Sequence, residues 1–316
     1  MIDPDNIADF FCTQKIGFER CLDPSMRCKE RAIRAHSIQN RQIIDLLQEN
    51  NQVLAWQPRF SLDRLDIILR TIGRNEASTF TGFCNQHDTE LFKPLDTKPL
   101  DIHNREQLFL LAYRGITCEM HAIMMYAVRF QSLHRMRIER GVDSADELSP
   151  VGRQATHQML LAWATWKYRN TYYDTPLLTG SGADIEHDVI VFEDQEPCLA
   201  ASSFFTLKDV AADKELVGVA INVLPLDGNK TIAVFSYSKR DRGHAHAALD
   251  RVLDSSGSLQ KYELSKLILS RVSNVLISPR QYGSWAENKQ TKIANAFVQS
   301  AREQEDVAED LDLMLF

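Results

Sequence analysis

The stretch "GFCNQHDTELF" (Gly82–Phe92) sets a cysteine and a histidine three positions apart, just ahead of a polar and then apolar run. A C-x2-H pair on a tight turn offers two ligands to one metal ion, and zinc takes four such ligands in a tetrahedron. Asp88 and Thr89 stand where the first turn of a helix would begin. Cys84 and His87 therefore need a second pair. "CLDPSMRC" (Cys21–Cys28) offers one, with Pro24 turning the loop between the two thiols. The expected ligand set is Cys21, Cys28, Cys84 and His87, and the expected cofactor is zinc. Such an ion would clip the loop at 21–28 to the loop at 84–87 and close a long chain segment. His36 is the rival fourth ligand. Were Lys29–His36 helical, Cys28 and His36 would stand about 12 Å apart along the axis; a short strand would bring His36 closer.

Outward from these loops, the first half reads as helical. "SIQNRQIIDLLQEN" (Ser37–Asn50) has Ile38, Ile43, Ile44, Leu46 and Leu47 near helical spacing, with Ser37 as the expected N-cap. "VLAW" (Val53–Trp56) suits a brief strand. Arg105–Arg140 runs without proline and carries a broad apolar stripe, which predicts one long core helix bent at Gly115. "DSADELSP" (Asp143–Pro150) breaks it, and a second helix is expected from Gly152 to about Tyr173. "TPLLTGSGAD" (Thr175–Asp184) is the boundary by composition, dividing a helical zinc-binding domain (1–175) from an α+β domain (176–316). Beyond it, "HDVIVF", "CLAASSFF", "LVGVAINVLP" and "TIAVFSYS" are short, β-branched and aromatic, with Asp227-Gly228-Asn229 as a turn, so antiparallel strands are expected. "LQKYELSKLILSRVSNVLI" then reads as helix stopped by Ser278-Pro279, and a final helix holds Trp285, Ile293 and Phe297. The fold class is α+β, mostly helical, with a zinc-clipped N-terminal region and a small antiparallel sheet in the C-terminal half.

The totals fit a soluble globular protein: 316 residues, 44% hydrophobic and 25% charged. No apolar run is long enough to span a bilayer, and "MIDPDNIADFF" lacks the basic-then-apolar pattern of a secretory signal. A cytoplasmic, reducing location is expected, in which six cysteines bind metal or fill the core; Cys12, Cys118 and Cys198 read as core thiols. Residues 1–140 hold 19 Lys and Arg against 18 Asp and Glu, and residues 141–316 hold 17 against 25, which together give the net −7. Non-specific nucleic-acid binding by the whole chain is therefore disfavoured. "RCKERAIRAHSIQNR" (Arg27–Arg41) still concentrates Arg27, Arg31, Arg34 and Arg41 near the cysteine loop, a patch able to grip phosphate or to lie as a solvated basic face.

A cysteine loop, then "AIRAHSI", then a C-x2-H pair opening a helix resembles the treble-clef zinc motif of HNH endonucleases over residues 21–92, although Cys84 follows His36 by 48 residues. That resemblance implies His36 as general base, with Asn85, His87 and Asp88 in the second half of the motif and Asp88 as a further catalytic candidate. "AIRAHSIQN", "ASTFTGFCNQHDTELF" and "FLLAYRG" are also similar to a group of uncharacterised bacterial proteins, some described as zinc-chelating and associated with phage-defence neighbourhoods. This second resemblance covers residues 20–120 and implies a bacterial intracellular zinc-binding protein acting by interaction.

Elsewhere the chemistry is thin. No P-loop, dinucleotide fingerprint or nucleophile elbow is present, which sets aside those reaction classes. Glu119 and His121 point some 200° apart on a helix and cannot share a site; His121 reads as a satisfied core histidine. His244 and His246 have no acid or thiol near them in sequence. Val307, Leu311, Met314 and Leu315 of the acidic tail fall near helical spacing, a face that a partner or a second copy could take.

Overall fold

The computed structural model describes residues 17–60, 65–147, 149–182, 184–207, 215–303, 307 and 309–316. Cys12 lies outside the described residues.

Strands β1 (Ile33–His36) and β4 (Thr79–Phe83) form a small antiparallel ribbon of their own. The central sheet has seven strands: β2 (Gln52–Phe60), β3 (Leu65–Gly73), β5 (Ile185–Phe192), β6 (Leu199–Thr206), β7 (Gly218–Leu226), β8 (Lys230–Ser238) and β9 (Val275–Ile277). Their order is β3-β2-β9-β6-β7-β8-β5, and each pairing is antiparallel. The expected C-terminal strands are all present, and Gly228 and Asn229 turn β7 into β8 with positive φ. The sheet is nevertheless larger than the small C-terminal one expected, because β2 and β3 come from the first half of the chain. Three residues make the join. β9 pairs with β2 on one side and β6 on the other. In sequence, Val275–Ile277 reads as the end of a helix. The helix in fact stops at Arg271, where Val272 turns extended (φ −113°, ψ 114°), and the β-branched and leucine run after it completes the sheet.

The sheet is covered on both faces. Along β7, Ala220 and Leu224 point to one core and Val219, Ile221 and Val223 to the other; along β8, Ile232 and Val234 oppose Ala233 and Phe235. Period-2 alternation between two buried sides requires strands that are buried along nearly their whole length, as β6, β7 and β8 are, with Ser202, Ser203, Asn222, Thr231 and Ser236 among their buried polar exceptions. The first core lies under α2 (Arg105–Glu139) and α3 (Pro150–Arg169), together with the β1/β4 ribbon and α1 (Asn85–Leu91). Asn104 caps α2 by accepting from the Glu106 and Gln107 amides, and Ser149 caps α3 through the Gly152 amide. At Gly115, where α2 faces β6, an added Cβ would sit in ordinary contact with the Ser203 carbonyl at 3.4 Å. The second core lies under α4 (Arg242–Leu253), α5 (Gly257–Arg271) and α6 (Glu287–Glu303). Ile293 and Phe297 are buried there as expected, while Trp285 precedes the last helix and is buried beside it.

Two expectations change. The helix predicted over Ser37–Asn50 is only a wide turn at Asn40–Ile44 followed by Asp45–Leu47. Ser37 does not cap it: its hydroxyl is tied to Ser78 and receives a hydrogen bond from Asn274 Nδ2 at 2.8 Å. The tail, for its part, does not present an apolar face to a partner. Val307, Leu313 and Leu315 are buried in this chain's own second core, and Leu311 is the exposed member. No helix among the described residues is long and apolar enough to cross a membrane.

Candidate metal centre

The loop at 20–28 is shaped by Asp23. Its carboxylate, 3% exposed, accepts from the Cys28 amide at 3.0 Å, from the Ser25 amide at 3.2 Å and from the Ser25 hydroxyl. Met26, at φ +55°, donates its amide to the Asp23 carbonyl. These bonds fold the six residues between the thiols back on themselves, so that Cys21 and Cys28 face the same way despite a gap longer than a usual knuckle. Leu22 N–H donates to Gly82 O at 2.7 Å and pins the loop to β4. From the other side, Arg169 Nη2 donates to Leu22 O at 3.0 Å. Arg169 is wholly buried, paired to Asp174 at 3.1 Å, and Asp174 in turn accepts from Tyr113 at 2.8 Å.

The second pair comes from the start of α1. Cys84 is extended (φ −76°, ψ 164°) at the N-cap position, and its carbonyl accepts the Asp88 amide, so His87 falls on the first turn, on the same side as the thiol. Cys84 Sγ lies 3.2 Å from His87 Nδ1 and 3.9 Å from Cys28 Sγ, while Cys21 Sγ lies 3.5 Å from His87 Nδ1. All four donor atoms fall within 4.8 Å of one another. A tetrahedron with metal–sulfur bonds of ~2.3 Å has edges of about 3.5–3.8 Å. The Cys3His cluster could therefore hold a metal ion with little rearrangement. Burial pushes the Cys21 thiol up to about 12. Cys84 is desolvated too, yet hydrogen bonds from His87 bring it below the ordinary thiol value. Both thiols would have to give up their protons to ligate a cation.

His36 is outside the cluster. It ends β1, at the far end of the ribbon from Cys84. Its Nδ1 donates to Ala77 O at 2.9 Å, and Nε2 is 3.4 Å from Asn40 Nδ2. Burial holds it below the usual histidine value. Asp88 sits on α1 with one carboxylate oxygen buried and without a hydrogen-bond partner, and burial raises its pKa. Among the described residues no hydrogen bond joins His36 to Asp88. Arg27, Arg31, Arg34 and Arg41 are exposed around the loop and β1, and Arg31 pairs with Glu19 at 2.6 Å.

His121 is a satisfied core histidine, its Nε2 donating to Phe18 O at 2.8 Å. Glu119 points elsewhere and accepts from Ser203 at 3.1 Å and Ser273 at 3.3 Å. Sequence reasoning missed Asp23, although Asp-Pro-Ser is a turn signature, and it missed Arg169. It also left His246 without an acid. Its Nε2 lies 2.7 Å from Tyr237 Oη and 3.1 Å from Asp188, a carboxylate brought from β5 by strand pairing that no local signal reveals.

No protein-family model matches the chain, and neither the curated proteins nor the solved structures contain a match to it.

Proposed function

We propose that this is a bacterial intracellular protein whose N-terminal region is held by one structural zinc ion, and that it works by binding a protein or nucleic-acid partner in defence against phage. The observation that carries the zinc reading is the closed donor set: three thiols and one imidazole converge, two of the thiols fully or almost fully buried. Four protein ligands leave no open coordination position for substrate, which is the signature of a structural rather than a catalytic ion. The order of parts, a cysteine loop, then a ribbon, then a helix that opens on the second ligand pair, supports reading it as a treble clef with β2 and β3 inserted between its strands. The defence role rests on nothing but the resemblance read from "AIRAHSIQN", "ASTFTGFCNQHDTELF" and "FLLAYRG" in the sequence, which no family match supports.

The zinc reading is tested by metal analysis of the purified protein: one zinc per chain is expected, and none in Cys84→Ser. Absence of metal from protein purified without chelator overturns it. The defence reading is tested by phage plating on cells that carry the wild-type chain or Cys84→Ser. Wild type should reduce plating and the variant should not; equal plating on empty cells and wild type across a broad phage panel removes it.

A second reading, an HNH-like metal-dependent nuclease, is favoured by one observation. The Ala77 carbonyl fixes His36 as the Nδ1–H tautomer, leaving Nε2 as a neutral base. Cleavage of DNA or RNA with Mg²⁺ or Mn²⁺ that His36→Ala abolishes, with zinc content unchanged, would establish it. Uncut substrates with wild type would end it.

A further inference from the structure

Three donor atoms from three elements meet on the opposite face of the sheet from the thiol cluster. Asp188 on β5 and Tyr237 on β8 are diagonal neighbours on one face, since Tyr237 stands opposite Glu186 in the register. His246 comes down from α4, one turn after its start at Arg242. Its Nε2 lies 2.7 Å from Tyr237 Oη and 3.1 Å from Asp188 Oδ2, and Tyr237 Oη also touches that same carboxylate oxygen. A hydrogen-bonded chain of three groups needs two contacts. Here there are three, closing a triangle of one nitrogen and two oxygens. The phenol and the imidazole nitrogen bring at most one proton each, so two protons must serve three edges. Three different donor atoms turned to a common point are arranged as a ligand set is. Tyr237 is 1% exposed and fixed in the second core, whereas the His246 and Asp188 side chains are 40% and 31% exposed, so the triangle is rigid beneath and open outward.

The geometry points to a second metal site, in which Tyr237, His246 and Asp188 hold one iron ion at three adjacent positions of an octahedron. Spacing selects the coordination. Donors about 2.1 Å from an ion stand about 3.0 Å apart at the right angles of an octahedron and about 3.4 Å apart in a tetrahedron. The edges of 2.7 and 3.1 Å match the first. The donors select the metal. Imidazole with carboxylate suits iron, and a facial set with open positions is its usual protein geometry. Tyr237 adds a demand of its own. Burial first, and the Asp188 carboxylate second, raise its phenol well above the ordinary value. A ligating ion must therefore be acidic enough to expel that proton to water. Ferric iron, small, hard and trivalent, does this where magnesium and calcium do not. The nearby cation Arg242 is turned to Glu186 at 3.6 Å, which leaves the Asp188 carboxylate to the imidazole and the phenol. The outward positions of the octahedron fall to water or a small ligand.

The test adds ferric nitrilotriacetate to the full chain as purified, removes unbound iron by gel filtration, and reads metal content and visible absorption. Wild type should carry one iron per chain and show a phenolate-to-iron charge-transfer band. Tyr237→Phe keeps the ring in the core and removes the oxygen. It should lose the band while its zinc content stays at the wild-type value. The inference is overturned if wild type retains no iron, if it retains iron without the band, which marks an adventitious ion only, or if the band persists in Tyr237→Phe, which assigns it to another site. Should Tyr237→Phe fail to fold, His246→Ala, at a side chain 40% exposed, decides: loss of the band supports the site, and an unchanged band removes it.

Discussion

The cysteine loop and the tail are both irregular segments fixed to the body of the molecule, and they are fixed by opposite means. The tail is anchored by burial. Leu313 and Leu315 are 4% and 1% exposed, and the Leu315 amide donates to Ser265 Oγ at 3.0 Å. The loop at 20–28 buries Cys21, Leu22 and Asp23 but turns outward at Arg20, Ser25 and Arg27. It is held by polar bonds to Gly82 and Arg169 and by the convergence of its two thiols on Cys84 and His87. A segment of the first kind needs only its own side chains. A segment of the second kind depends on whatever the four donors hold, since a buried thiol cluster gains little from packing alone.

The comparison is broken most severely by disabling the Cys3His cluster, which on the zinc reading removes the metal. Structural zinc binding in small domains is worth on the order of 10–16 kcal/mol of folding free energy. Cys84→Ser, or dialysis against a strong chelator, should therefore release residues 17–36 and 79–92 to rapid amide exchange while the tail and the second core keep their protection. Hydrogen exchange with mass spectrometry reads this directly, and uniform protection in the metal-free protein would show that the ion holds nothing. Arg169→Met comes next. It leaves Asp174 buried and unpaired and takes the donor from Leu22 O, at a cost of about 3–5 kcal/mol. Because Leu22 adjoins Cys21, the variant should also bind zinc about 10–100-fold more weakly; a competition titration with a chelating dye measures this. A stability loss with unchanged zinc affinity would make Arg169 a core residue and nothing more.

What could be read in the sequence follows the same division. The four converging donors were legible because C-x2-H and the turn at Pro24 are local signals, and a cation site needs donors of a few specific types. The four C-terminal strands were legible because each is a short run rich in β-branched and aromatic residues, separated from the next by turn residues. The unity of the sheet was not, because it rests on β9, whose three residues look like the end of a helix when the flanking strands are unknown. β3 went unread, and the Ser37 cap was misassigned because its partner hydroxyl, on Ser78, arrives from across the ribbon. The acid beside His246 was hidden for the same reason: strand register supplies it. Long-range pairing carries no mark on the residues that make it.

The tail gives the third prediction. Leu315→Ala removes a fully buried side chain from the second core and should cost about 2–5 kcal/mol, seen as a lower urea midpoint. Zinc content and loop protection should stay at wild-type values. Loss of zinc in this variant would join the two anchoring modes that the fold keeps on opposite faces of the sheet.

The smallest effect tests that separation by pH. His187, on β5, is partly buried, and its Nδ1 is 2.8 Å from Ser236 Oγ. Burial, with the charge of Arg105 second, pulls its pKa down to about 4. A histidine depressed in the folded state is neutral there when the unfolded chain has already taken up a proton. Its contribution is therefore whole above about pH 6.5 and is lost as pH falls from about 6.5 to about 4, by at most ~3 kcal/mol. His187→Gln should flatten the fall in unfolding free energy between pH 6.5 and 4.5 by up to one proton's worth of slope, while the wild-type and variant curves run parallel above pH 7. His187 has no contact with the metal donors, so chelated and metal-loaded protein should show the same difference between the two curves. Identical acid slopes in wild type and variant would mean that His187 charges freely in the folded state and that this face of the sheet is more open to water than its packing implies.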